Sequence, residues 1–225
     1  MKQSEYNISR TREIPERCGL WDGAVWRPVK ALDVNCIRPE GSDHRPRTRC
    51  KLLYNRQSMF GIFRVEDQYV RCVHNRFQSD VWKDSCVEFF VEPKEGAGYF
   101  HFEFNCGGAL LASYVTDPVR ADGRLKQYTP LTPEDDRKIH RFASLPPIVE
   151  PEIVRQIVWT LEFQIPFAVL EKYSGKIGIV KGQVWRANFY KCGNETSHPH
   201  WLSWMPLSAR NFHEPSSFGK LLWEE

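Results

Sequence analysis

The chain has 225 residues, 41% of them hydrophobic, and carries 31 Lys and Arg against 28 Asp and Glu for a formal net charge of +3. That length holds one large β domain or two small ones around a real core, and so small a net charge gives no grip on a polyanion, which excludes a nucleic-acid partner. No window approaches about 18 consecutive apolar residues, so no helical membrane insertion is expected.

From Met1 to Leu20 charges are spread throughout and no apolar signal-peptide core is visible. The patch Arg45, Arg47, Arg49 and Lys51 is short and reads as the solvated start of a strand rather than a phosphate track. Beyond it, period-two alternation dominates. Cys50, Leu52 and Tyr54 share a face, Asn55-Arg56-Gln57-Ser58 reads as a hairpin turn, and Met59 to Val65 is apolar on both faces, as in a central strand. Val87, Phe89 and Val91 alternate with Glu88, Phe90 and Glu92, and Phe100, Phe102 and Phe104 with His101, Glu103 and Asn105. Gly107-Gly108 turns the chain into a strand over Ala109 to Val115.

The segment from Asp117 to Pro151 breaks the pattern with six prolines and many charges. It is too long for an ordinary connection and reads as an excursion packed over one sheet. Asp135 to Phe142 and Pro166 to Tyr173 are the candidate short helices, the second with Pro in its first turn. Trp159, Leu161, Phe163 and Ile165 alternate with Thr160, Glu162 and Gln164, and Trp185, Ala187 and Phe189 with Arg186, Asn188 and Tyr190. Strands of this kind bounded by turn residues predict an all-β, antiparallel β-sandwich of two packed sheets, with residues 1–225 as a single domain.

The alternation separates a core face from a polar face carrying Glu88, Glu92, His101, Glu103, Asn105, Glu162, Gln164, Arg186 and Asn188. If these strands are neighbours, they make a sheet face of carboxylate, amide and guanidinium groups, each able to engage vicinal hydroxyls with two hydrogen bonds. Trp82 lies in the loop leading to the Glu88 strand, and Trp201, Trp204 and Phe212 offer a second aromatic wall. A pyranose ring, apolar on its faces and polar at its edge, suits that combination. Ordinary wet-face and rim-packing roles account for the same residues equally simply.

Other chemistries are weaker. Glu88 and Glu103 are a conceivable glycosidase pair, but nothing marks a deep cleft. Met59, Met205, His101 and His213 do not form an evident haem ligand pair. His198-Pro199-His200 lacks a third ligand nearby, and Cys106 lacks an adjacent base. Seven Cys without a C-x-x-C pair read as buried free thiols.

Trp82-Lys83-Asp84-Ser85-Cys86-Val87-Glu88-Phe89-Phe90 resembles the Trp, Asp-Ser and Glu-x-Phe signature of family 9 carbohydrate-binding modules, β-sandwiches related to DOMON domains. Trp204-x-Pro206, Pro215-x-x-Phe218-Gly219-x-Leu221, Lys51 to Tyr54 with Phe60 to Asp67, and Trp21-Asp22-Gly23 leading to Trp26 are similar to further family segments, the last to its opening strand. The resemblance implies a non-catalytic sandwich that binds a mono- or oligosaccharide, is associated with glycoside hydrolases in polysaccharide catabolism, and carries structural calcium. It places a stacking Trp at Trp82, a sugar-contacting Glu at Glu88, amide contacts on the strand with Asn188 and Tyr190, and the second stacking ring at Phe212. Phe212 replaces a Trp there, Glu103 an Arg and Tyr190 a Gln, so a different sugar preference, weak binding or a fold kept without its ligand are all open. The expected ligand set is therefore Trp82, Glu88, Glu103, Arg186, Asn188, Tyr190, Trp204 and Phe212. Calcium (Ca2+) would need converging oxygens such as those of Asp67, Asp80 or Asp84. The alternatives are glycoside hydrolase activity and a protein-interaction module. The thiols and absent leader point to a cytoplasmic protein, the resemblance to a secreted or periplasmic one.

Overall fold

A computed structural model describes residues 5–121 and 124–224. The expected sandwich is present. The first sheet contains β1 (Glu5–Arg10), β7 (Cys86–Glu92), β8 (Tyr99–Asn105), β9 (Leu110–Ala121), β10 (Arg124–Pro130), β14 (Val184–Gly193) and β16 (Gly219–Trp223), in the order β10-β9-β8-β7-β14-β16-β1. β15 (His200–Ser203) pairs with the far half of β14, and β3 (Cys36–Ile37) with β15. The second sheet runs β1-β4-β5-β13-β11 through β4 (Arg47–Tyr54), β5 (Ser58–Asp67), β13 (Ile157–Pro166) and β11 (His140–Ala143), with β2 (Leu32–Val34) also on β4. A separate ribbon joins β6 (Val70–Cys72) to β12 (Val149–Ile153). β1 stitches the two sheets: Glu5 to Ile8 run parallel to β16, then Ser9 and Arg10 parallel to β4.

Alternation explains the core. Phe89, Phe102, Phe104 and Phe189 point inward from the first sheet and Phe63, Phe163 and Leu161 from the second, all fully buried. Phe89 stacks on Phe189 at 4.9 Å and on Phe163 at 5.8 Å, and Phe104 on Phe163 at 5.3 Å, so offset aromatic contacts bridge the two layers. Gly61 opposes Phe163 in register, and a Cβ there would lie 2.2 Å from the ring. The Asn55 turn forms as read, with Asn55 Oδ1 accepting the Gln57 and Ser58 amides. Among the described residues no helix is long and apolar enough to cross a membrane.

Four local expectations change. Trp21 to Trp26 is a run of turns, not a strand. These two rings cover the outer face of the second sheet, where Trp26 Nε1 and the Gly19 amide donate to Glu162, each at 3.0 Å. β13 lies in that second sheet, so Glu162 and Gln164 do not share a face with Glu88. Lys51 is buried, donating to the Trp21 and Trp26 carbonyls with its ammonium 4.3 Å from the Trp21 ring centroid. The described residues of the Pro-rich segment join both sheets: β9 runs on to Ala121, β10 extends the first sheet, α1 (Pro133–Lys138) follows a Thr132–Asp135 capping box, and β11 edges the second. The helix expected over Asp135 to Phe142 thus stops at Lys138, because a strand takes over at His140. The second helix, α2 (Phe167–Ser174), starts after Pro166, and its Lys172 and Tyr173 bond Asp135.

One charged cluster lies inside the sandwich. Lys191 breaks the apolar inward pattern of β14 and sits 3.4 Å from Asp67, which also accepts from His44 at 2.8 Å and Trp159 Nε1 at 3.0 Å. Lys191 donates to His200 Nε2 at 2.7 Å. So His198-Pro199-His200 does have further ligand-type residues near it, with His44, Asp67 and His200 converging. The Lys191 ammonium already supplies the positive charge a metal would bring. His198 instead stacks on Tyr69 at 3.6 Å. Burial would raise the Asp67 carboxyl, but Lys191 and His44 hold it well below the usual carboxylate range. Burial, then Lys191, push the His200 imidazole down to about 3.

The sign of the pH dependence follows. Between pH 6.5 and about 3 the unfolded chain protonates His200 and the folded chain does not, so stability falls as pH drops below 6.5. Asp67 adds to the loss below its ordinary 3.8, where the unfolded carboxylate takes up a proton first. His200→Gln should lower stability at neutral pH yet flatten the acid slope by about 1.4 kcal/mol per pH unit. Urea unfolding between pH 7 and about pH 4 measures both, and an unchanged slope would assign the acid sensitivity elsewhere.

Candidate functional site

The outer face of the first sheet is best read as rows across the strands. One row runs Leu111, Glu103, Glu88, Tyr190, Ser203 over β9, β8, β7, β14 and β15. The next runs Asn105, Cys86, Cys192, Trp201, and the row on the other side Ser113, His101, Phe90, Asn188. Glu88 and Glu103 are therefore direct cross-strand partners, as the alternation of each strand required once the strands became neighbours.

This face is not open to water. The segment from Trp204 to Phe218 folds back over it. Asn188 is fully buried and anchors that segment: its Oδ1 accepts the Met205 and Phe189 amides, and its Nδ2 donates to the Met205 carbonyl and Ser217 Oγ. Tyr190 donates its hydroxyl to the Phe212 carbonyl at 2.9 Å, and its ring stacks on Phe212 at 4.1 Å and 11°. Arg186 donates to the Pro215 carbonyl at 2.8 Å and lies 3.5 Å from Glu92. Glu88 and Glu103 are left nine-tenths or more buried under this cover.

Three half-buried rings and Leu111 surround the buried patch of Val81, Cys86 and Cys192. Trp82 lies on a short 3-10 turn, Val81–Lys83, with Lys83 over its ring at 5.5 Å and its carbonyl accepting from Cys192 Sγ. That turn is pinned by the buried Asp84, whose carboxylate accepts the Val73 and His74 amides and Asn105 Nδ2. Trp201 donates Nε1 to Asn194 at 2.7 Å and has the Arg210 guanidinium over its ring at 4.6 Å. Phe212 is the third ring. Trp204, three residues after Trp201, has the opposite parity and packs edge-on against Phe189 in the core at 5.6 Å.

Of the expected ligand set, the structure thus brings together Trp82, Glu88, Glu103, Tyr190 and Phe212. Trp204 turns to the core, and Arg186 and Asn188 hold the covering segment. Trp201 takes the place read for Trp204; the signal that finds it is its pairing opposite Cys192, which the sequence does not reveal. Two surface depressions, one at Gly107, Gly108 and Arg141 and one at Glu92, Glu95 and Lys220, have no Trp, Tyr or Phe in their walls.

The carboxyl pair is electrostatically asymmetric. Glu103 Oε1 bonds His101 Nδ1 at 2.9 Å, whereas its Oε2 is buried without a hydrogen-bond partner. Burial first, then Glu103 and Cys192, push the Glu88 carboxyl well above the usual carboxylate range. Glu88 is thereby an acid that can donate as well as accept, beside a carboxyl with a free acceptor. His213, bonded to the Tyr99 hydroxyl at 2.8 Å, is held neutral by burial, then by His101 and Arg120. The oxygens considered for calcium do not form a set: Asp84 is saturated by amide donors, Asp67 is bound to Lys191, and Asp80 pairs with Lys83 at 3.4 Å.

Asn188→Ala should cost about 2–3 kcal/mol in urea unfolding, since it strips a fully buried side chain of bonds to two segments. A loss below about 0.5 kcal/mol would show that the covering segment is held by other contacts.

Comparison with known proteins identifies the fold and the family. A sequence profile described as Carbohydrate-binding family 9 matches residues 26–223. Comparison with curated proteins gives no match. Among solved structures, a "putative carbohydrate-binding protein" of Bacteroides uniformis ATCC 8492 superposes with a TM-score of 0.85 at 25% identity, covering 99% of this chain and 100% of that one. A family 9 carbohydrate-binding module of Caldicellulosiruptor kristjanssonii in complex with glucose gives 0.66 at 12% identity over 98% of this chain and 96% of that one. The same organism's module with cellotriose gives 0.64 at 13% identity over 98% and 94%. At those last identities the likeness is one of fold. The family profile spans nearly the whole sequence, and the chain belongs to carbohydrate-binding family 9.

Proposed function

We propose that this protein binds a neutral, gluco-configured mono- or oligosaccharide against Trp82 and Phe212, with Trp201 as a third ring and with Glu88 and Glu103 bonding the hydroxyls. The observation that carries the reading is the register pairing of Glu88 with Glu103 beneath a rim of half-buried aromatic rings, with Glu103 Oε2 unpartnered. An indole or phenyl plane removes the apolar face of a pyranose from water. Neighbouring hydroxyls then meet one carboxyl that accepts and one, Glu88, that both donates and accepts. A buried oxygen without a partner is costly, and a sugar hydroxyl would relieve that cost on binding.

The family membership supports the ligand class, and the related modules in complex with glucose and cellotriose support the gluco configuration. The preference for a neutral sugar comes from this chain: a uronate carboxylate, which only accepts, would meet the unpartnered acceptor Glu103 Oε2 in a desolvated site. Phe212 offers less area than an indole, and its inner face is already taken by Tyr190, so Trp82 carries the larger share of the stacking.

Calorimetric titration with glucose, cellotriose and glucuronic acid tests this. Binding of a neutral sugar with no measurable heat for the uronate is expected. Trp82→Ala should weaken binding about tenfold or more, the loss of about 1.4 kcal/mol or more of stacking and burial, while shifting the melting temperature little because the ring is only half-buried. Equal affinity in Trp82→Ala, or no binding of any neutral saccharide by the wild type, would overturn the reading.

A further inference from the structure

We infer that Cys86, Cys192 and Glu88 form a binding site for a thiophilic divalent cation, with zinc as its fitting occupant. The inference goes beyond sugar binding and does not rest on it, although Glu88 and Glu103 enter both.

The donors converge because of register. Cys86 and Cys192 are direct partners across β7 and β14, and Glu88 follows Cys86 by two residues, on the same face. Their ligand atoms all lie within 4.8 Å of one another, with Cys192 Sγ 3.2 Å from Glu88 Oε1. Tetrahedral zinc with sulfur at about 2.3 Å and oxygen at about 2.0 Å needs its ligands roughly 3.5–3.8 Å apart.

A second observation independently points to a ligand. Glu103 stands opposite Glu88 in register, is 5% exposed, and leaves Oε2 buried with no hydrogen-bond partner. Two thiols and two carboxyls thus crowd a patch of low dielectric. Thiols give up their protons when they ligate a metal. A divalent cation replaces those protons with one charge that all of them can share. Binding then expels the two thiol protons to solvent, and affinity increases with pH.

The chemistry selects the metal class. Two thiolates disfavour calcium and magnesium, which take oxygen ligands, and favour zinc. Three protein ligands leave a fourth position for water or another small donor. The Asp67, His44 and His200 group makes a contrast, for it encloses the Lys191 ammonium and its charge is already balanced.

The test uses the full chain, reduced with a phosphine, without sugar. Cobalt(II) titration should produce a thiolate-to-cobalt charge-transfer band in the near ultraviolet and tetrahedral visible bands, both removed by one equivalent of zinc. Cys192→Ala should abolish the charge-transfer band or weaken cobalt binding at least tenfold, Glu88→Gln should weaken it while keeping the band, and Cys106→Ala should leave it unchanged. A readout that needs no variant is alkylation mapped by mass spectrometry: zinc should slow modification of Cys86 and Cys192 at least tenfold and leave Cys18 unaffected. No charge-transfer band in the reduced wild type, a band that survives Cys192→Ala in a folded protein, or zinc protection that spares Cys86 and Cys192 would overturn the inference.

Discussion

The site depends on one constraint: the sheet carrying β7, β8 and β14 is buried on both faces. Its inner face meets the second sheet through stacked phenylalanines, and its outer face is covered by the chain's own segment from Trp204 to Phe218. A sheet face bearing Glu88, Glu103, His101, Tyr190 and Asn188 would be ordinary if it were wet. Covered, the same residues must satisfy one another, and most do so. Asn188 spends its amide on the segment above it, Tyr190 its hydroxyl on Phe212, and Tyr99 meets His213. What is not satisfied internally includes Glu103 Oε2, buried on the strand beside Glu88.

Alternation made the strands and their inward faces legible, because a one-residue error would turn every phenylalanine of β8 to the wrong side. It could not give strand order. Glu162 and Gln164 have the same local pattern as Glu88 and Glu103, yet they belong to the other sheet and serve the Trp26 cap. Parity was equally hidden around β15, a strand of only four residues. Trp201 and Trp204 look interchangeable in sequence, and the pairing of Cys192 with Trp201 decides which faces out. The resemblance to family 9 modules points to Trp82 and Glu88 as sugar contacts but does not reveal the work of Asn188 or Arg186, since an amide that touches a sugar and one that anchors a loop are the same residue type. Trp21 and Trp26 were misplaced for a related reason: their contacts are to backbone and side chains of a sheet distant in sequence.

The molecule contains two buried polar clusters that resolve the same electrostatic problem differently. Around Asp67, a carboxylate in the interior is matched by an ammonium, an imidazole and an indole N–H, and charge persists because its partners are covalently present on neighbouring strands. Removing Lys191 or Asp67 alone would strand the other and cost about 3–5 kcal/mol. Around Glu88, the neighbours are two thiols, a phenol and a second carboxyl, and burial pushes the Glu88 carboxyl and the Cys86 thiol toward their neutral forms. The first arrangement is closed. The second is open to whatever brings a positive charge or a hydroxyl to it.

That openness bears on how tightly a ligand is held. The Phe212 ring is clamped face to face on Tyr190, its backbone carbonyl tied to the same residue, and Trp82 rides on a turn fixed by Asp84. Rings held in this way lose little freedom when a ligand arrives, so less of the interaction energy goes into ordering the site. The floor is equally fixed, since Glu88 and Glu103 sit mid-strand rather than on loops. In the proposed sugar site, rigidity of that kind would favour discrimination over adaptability: a hydroxyl in the wrong configuration would leave Glu103 Oε2 buried and unbonded, and a mobile site could not impose that penalty. The exchange of a wet, flexible rim for a clamped one therefore follows from the same covering segment that buried the face at the outset.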